Sequence, residues 1–284
     1  MSGRRRFRLA WIGTLPFFAY AIAFLFLPAG EVLVGAFKGA HGGWTFSNLT
    51  ELVHQPYLHA FRASIEISLV TALLGGAIGI GLAYAAIREG TPRWIRNGLT
   101  TFSGVAANFG GVPLAFAFIA TLGTIGVATQ FMQNQLHLNV WQGYQLFTKT
   151  GIEIVYLYFQ IPLMVLVIAP AIDGLRREWR EAAANLGANS WQFWRHVGLP
   201  VLMPSILGAM ILLFGNAFAA YATAFSLTSG NIYIVPVVIG AYYTGNVFSN
   251  PHLAQALAMG MFIVLVVMMV LYVPLQRRAA RWAK

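Results

Sequence analysis

Glu31, Glu66 and Glu153 stand near the ends of long apolar segments, where a charged carboxylate is costly and often functional. Two readings are open for all three: carboxylates that reach the lipid–water interface, or an acidic mouth for a cationic solute. A second group, Asn216, Tyr221, Thr223 and Ser226, lays a polar stripe along one apolar segment. Such a stripe suits either a solute path or hydrogen bonds to a neighbouring helix. Glu66, Glu153, Asn216, Tyr221, Thr223 and Ser226 are the translocation-path candidates. His41, His54, His59, His137 and His252 are scattered over connecting segments without ligand spacing, and His196 lies in a charged loop. No metal site is expected from them. The chain has no cysteine, no G-x-x-x-x-G-K-[ST] loop, no His-Glu metal helix and no serine nucleophile elbow. Enzymatic chemistry therefore has no candidate site, and no catalytic residue or bound cofactor is expected.

The elements that must position these residues are membrane helices. Apolar residues make up 58% of the 284 and charged residues only 9%, against about 25% charged in an ordinary soluble domain. A chain so poor in polar surface takes the bilayer as its solvent. Six segments reach the roughly 20 apolar residues needed to cross it: Leu9–Phe37, Ser64–Ile87, Phe102–Thr129, Gly151–Ile172, Leu202–Leu227 and Leu253–Leu275. The first follows Arg4, Arg5, Arg6 and Arg8 but is longer than a signal-peptide core and lacks a clear cleavage site, so it is expected to be a retained span. The fold class expected is all-α, a polytopic membrane protein of six transmembrane helices, with one domain over 1–284 and its core at about 60–275.

Charge then orients the spans. The formal net charge of +10 is not gathered on one patch, which argues against nucleic acid. Fifteen of the eighteen Lys and Arg fall in the two tails and in alternate loops; Lys38, Arg62 and Lys149 are the three on the other side. The positive-inside rule places both termini and the loop 173–201 in the cytoplasm. Trp11, Trp94, Trp141, Trp179, Trp191, Trp194 and Trp282 lie near expected span ends, as an interfacial belt requires. Gly75, Gly79 and Ala83 repeat every four residues, which lets helix backbones touch, within this chain or between subunits. Gly110-Gly111-Val112-Pro113 should distort the third span and turn it toward protein or a water-filled cavity.

The loop 173–201 is the most specific surface. Glu178–Leu186 is rich in helix formers, Gly187 suits a left-handed stop, and Asn189 or Ser190 can cap a second short helix through Val197, with Pro200 and Pro204 opening the next span. Ala182, Ala183 and Ala184 remove bulk, while Trp191, Phe193 and Trp194 offer apolar anchors. In spacing, Glu181, Ala182, Ala183, Gly187, Val197, Leu199 and Pro200 match the pattern Glu-Ala-Ala, three residues, Gly, nine residues, an aliphatic residue, one residue, Leu-Pro. This resembles the EAA loop of the permease subunits of type I binding-protein-dependent ABC importers, with Val197 where Ile is more usual.

The resemblance implies a cytoplasmic coupling-helix loop that docks on separate ABC ATPase subunits, which would use the ATP and Mg²⁺. It also implies a second permease subunit (a copy or a paralogue), an extracytoplasmic solute-binding protein, surrounding membrane lipid, and location in the inner membrane. Span one would be peripheral to a core of spans two to six. The layout is most similar to polyamine-type permeases, with iron, phosphonate, thiamine and sugar systems as alternatives. An ion-gradient secondary transporter is a rival reading, but it would need inverted repeats or charged midplane sites, and neither is evident. A membrane enzyme lacks any catalytic constellation.

Overall fold

The computed structural model describes residues 14–39, 43–88, 90–137, 141–244 and 251–280. Arg4 to Arg8, Trp11, His41 and Trp282 lie outside them. The described residues form helices, with no strand among them and one isolated bridge between Lys38 and Trp44. Six helices are long and apolar enough to span a bilayer. In chain order the helices are α1 (Thr14–Gly35), α2 (Ser47–Glu51), α3 (Tyr57–Ile87), α4 (Arg93–Asn108), α5 (Gly111–Leu122) and α6 (Val127–Asn134). There follow α7 (Lys149–Asp173), α8 (Arg177–Asn185), α9 (Ser190–Phe218), α10 (Ala222–Thr228), α11 (Val235–Thr244) and α12 (Pro251–Ala280). The spans are α1, α3, the α5–α6 pair, α7, α9 and α12. Large apolar side chains cover their outer faces: Phe17 and Phe24 on α1 are each 69% exposed. Only hydrocarbon makes that surface tolerable.

The second, third and fifth spans differ most from the expected bounds, and α3 begins at Tyr57 rather than Ser64. The third apolar run divides at 109–110, so α4 is a separate amphipathic helix and the span runs Gly111–Asn134. The fifth ends at Phe218 rather than Leu227, because the chain breaks at 219–221 before α10.

The chain divides into two compact units, 14–58 with 238–263, and 59–237 with 264–280. In the first, Asn48 is buried and donates from Nδ2 to the carbonyls of Ala36 and Lys38 at 3.3 and 2.8 Å. The Tyr57 and Tyr242 hydroxyls share a hydrogen bond, and Gly35 leaves room for the Gln255 amide, which a Cβ would strike.

In the second unit α7 is the central helix. A core of Ile67, Leu114, Ile152, Val155, Tyr156 and Leu227 packs around it. The small-residue repeat on α3 faces it too. A Cβ on Gly75 would stand 2.8 Å from the Gln160 Cβ, and one on Gly79 would stand 2.5 Å from the Met164 Cβ and 2.9 Å from the Ile161 carbonyl. The Gly75–Gly79–Ala83 repeat is therefore intrachain packing, with Ala83 itself buried. Buried polar groups on these helices bond inward. Gln160 donates from Nε2 to the Leu213 carbonyl at 2.8 Å, and the Ser64 hydroxyl accepts the Val235 N–H at 2.9 Å.

Candidate functional site

The loop after α7 begins with an ion pair between Asp173 and Arg96 of α4. Helix α8 follows, and Arg177 donates from Nε to Glu181 at 2.9 Å, one turn on. The helix stops because Gly187 adopts φ +79°. Its N–H reaches the Ala184 carbonyl at 2.9 Å and that of Ala188 reaches Ala183 at 3.0 Å, the double closure of a Schellman turn. Asn189 then opens α9 with a reciprocal cap: its side chain accepts the Gln192 N–H at 2.9 Å, and the Gln192 side chain accepts the Asn189 N–H at 2.8 Å.

From this cap the chain departs from expectation. The second loop helix does not end at Val197; it widens into a π turn over Trp194–Gly198 and runs on as one helix to Phe218. Pro200 is the physical reason. It has no N–H and its ring crowds the carbonyl of His196, four residues back, so the wider turn relieves a contact that would otherwise break the helix. The His196 ring bonds the Gln192 carbonyl at 3.0 Å from Nδ1. Val197, Leu199 and Pro200 thus belong to the root of a span, while Glu181 and Ala182 on α8 and Gly187 at its turn are exposed and Ala183 is half-buried. The apolar anchors also sort differently. Trp191 is 72% exposed, but Phe193 is buried and Trp194 packs edge-on to Tyr84 at 5.0 Å. Leu186, which sequence reasoning passed over, is 88% exposed at the turn; its position beside Gly187 was the available signal.

At the other end of α9 two helix breaks meet. Gly111, at φ +70°, starts α5, and its N–H donates to Thr223 Oγ1 at 2.8 Å. The Tyr156 hydroxyl donates to the Ala220 carbonyl at 2.8 Å. Side chains thereby satisfy backbone groups that the breaks free, as a hydrocarbon surrounding demands. Between the breaks lies a cavity of about 280 Å³ whose polar lining is Asn108, Asn216, Tyr221 and Thr223, with Phe159 beside them. Neither a carboxylate nor a cation lines it.

Of the six path candidates, then, the structure brings Asn216, Tyr221 and Thr223 together. Ser226 sits further along α10 and does not line the cavity. Glu66 and Glu153 do not line it either, and Glu66 is ion-paired with Lys149. The cavity adds Asn108 and Phe159, which sequence reasoning passed over; an asparagine just before the Phe-Gly-Gly break was the usable sign.

The family model described as binding-protein-dependent transport system inner membrane component matches residues 75–281. The chain is 26% identical to the probable sulfate transport system permease protein cysT of Nephroselmis olivacea, covering 81% of this chain and 77% of that one. It is 27% identical to the thiamine transport system permease protein ThiP of Escherichia coli (strain K12), over 61% of this chain and 31% of ThiP. In three dimensions it is similar to a chain of a bacterial ABC transporter involved in the import of the acidic polysaccharide alginate. There the TM-score is 0.76 at 17% identity, over 96% of each chain. A chain of the MetNI methionine ABC transporter in an inward-facing conformation gives a TM-score of 0.52 at 12% identity, over 80% of this chain and 99% of that one. These two likenesses show the fold.

Proposed function

The chain belongs to the binding-protein-dependent transport system inner membrane components, the permease subunits of type I ABC importers, and on that premise we propose how it is driven and what it carries. A separate ATPase seats on the tip formed by Glu181–Gly187, with Leu186 and Trp191 entering its surface. The ATP and Mg²⁺ belong to that partner. A second permease, copy or paralogue, completes the path, and a binding protein outside delivers the solute. Both termini and the loop lie in the cytoplasm.

The observation that carries this reading is the unbroken helix α9. It starts three residues after Gly187, its last turn holds Asn216, and the break at 219–221 follows directly. At 1.5 Å per residue its 29 residues make a rod of about 43 Å. Closure of the ATPases moves the tip, and a stiff rod carries that displacement to the cavity. Glu181→Lys should abolish ATP-dependent uptake in vesicles reconstituted with the partner subunits while the chain remains inserted; unchanged uptake would overturn the scheme.

For the solute, the cavity's amide and hydroxyl lining favours a small oxyanion of the sulfate type, the substrate named for the relative in Nephroselmis olivacea. A polyamine-like cargo would need carboxylates to replace its hydration. The two outer glutamates lie outside the cavity lining, and Lys149 already engages Glu66. The same vesicles should accumulate labelled sulfate, and excess spermidine should not compete. Accumulation of spermidine instead would reverse the assignment.

A further inference from the structure

A second cavity, of about 170 Å³, opens at the end of the bundle that carries the α7–α8 loop. The ends of two spans frame it, α3 at Arg88 and α7 at Asp173, together with the start of α8. Four arginines line it: Arg88, Arg176, Arg177 and Arg180. Asp173 also lines the cavity but pairs with Arg96, and Glu181 takes Arg177, one of the four. Among the described residues no carboxylate pairs with Arg88, Arg176 or Arg180. Aromatic faces hold two of these guanidiniums: Arg176 lies 5.9 Å from the Trp179 ring and Arg180 5.6 Å from the Phe193 ring. Stacking of this kind leaves the N–H fork free for a bidentate acceptor. The floor is the edge-to-face pair of Tyr84 and Trp194. Amphipathic rings at the ends of spans sit at headgroup depth.

We propose that this cavity binds a phosphate-type anion, presented either by the headgroup of an anionic phospholipid or by free phosphate. Like charges converging on one concavity repel, and an anion relieves that repulsion while its oxygens satisfy several forks together. Basic pockets between spans at this depth suit anionic headgroups. Occupancy would tie the start of α8 to the ends of α3 and α7, directly behind the loop tip.

The test compares the full-length chain with Arg88→Gln/Arg180→Gln and with a charge-matched control, Arg277→Gln/Arg278→Gln, whose arginines lie in the last turn of α12. In the first arm each protein is reconstituted in phosphatidylcholine with or without phosphatidylglycerol, then extracted, and retained lipid is counted by native mass spectrometry. The unsubstituted chain and the control should keep phosphatidylglycerol, and the cavity variant should keep about tenfold less, as expected for loss of two charge-assisted contacts. In the second arm inorganic phosphate is titrated against detergent-solubilised protein while the thermal midpoint is followed. A phosphate-dependent rise confined to the unsubstituted chain and the control, without lipid preference, would support a free anion as occupant. If the unsubstituted chain neither prefers phosphatidylglycerol nor responds to phosphate, the proposal fails, whatever the variants do. It fails equally if neither anion binds and the cavity variant instead sheds its ATPase partner, since the arginines would then serve a protein contact. Arg88→Lys/Arg180→Lys, which keeps the charge but loses the forks, should retain an intermediate amount.

Discussion

The turn at 186–189 and the paired breaks at 109–110 and 219–221 all interrupt helices, but on opposite terms. At the turn the hydrogen bonds close within a few residues: Gly187 and Ala188 reach back to Ala184 and Ala183, and Asn189 and Gln192 cap each other. At the breaks the partners are remote. Gly111 depends on Thr223, more than a hundred residues away, and Ala220 depends on Tyr156. A locally closed turn keeps its shape whatever the bundle does, which suits a docking tip. A break held by tertiary contacts changes when helices shift, as the proposed transmission along α9 requires.

The largest way to break this comparison is at the tip. Gly187→Asp forces a side chain into the left-handed region, at about 1–2 kcal/mol, and adds a charge where a partner is proposed to sit. Uptake should vanish while membrane fractionation finds the chain inserted. Next comes the packing that the breaks rely on. Gly79→Leu would drive side-chain atoms into Met164 and the Ile161 carbonyl, and the protein should lose about 3 kcal/mol of stability, read as a lowered thermal midpoint. Gly81→Leu, with open space around it, should leave the midpoint unchanged.

Thr223→Val leaves the Gly111 N–H unpaired, costing about 1–3 kcal/mol. It should reduce uptake in proportion, whereas Thr223→Ser restores it. If Thr223→Val transports normally, the break does not depend on that bond. Smallest is Asn189→Ala, which removes one side of the reciprocal cap for about 1 kcal/mol. Limited proteolysis should cut faster at 186–190 with uptake little changed, which separates a defect at the turn from one at the breaks.

Much of this molecule was readable from residue types. Six apolar runs are a property of composition, and six spans result. Gly187 and Asn189 act as their local chemistry requires, so the tip was legible to within a residue. The Gly110-Gly111 interruption was legible as a break. Its consequence, a short α5 preceded by a separate α4, was not, since a single apolar run conceals where one helix ends and another begins. The same holds for α9. Pro200 looked like a new start, yet a π turn absorbs it, and no periodicity announces a π turn. The path candidates divide likewise: Asn216, Tyr221 and Thr223 share a cavity with Asn108 and Phe159, which sit on other helices.

Composition and spacing by themselves determined that this chain dissolves in a bilayer, crosses it six times and exposes a short helix stopped by Gly187. Each of those rests on transfer free energy or on the φ preference of a single residue, and both act without long-range contacts. Only the tertiary structure decided that the glycines of α3 pack against α7, that α9 joins tip to cavity, and that four arginines converge behind the loop. Convergence of remote residues depends on how helices pack, and packing is a property of the whole assembly of side chains rather than of any segment.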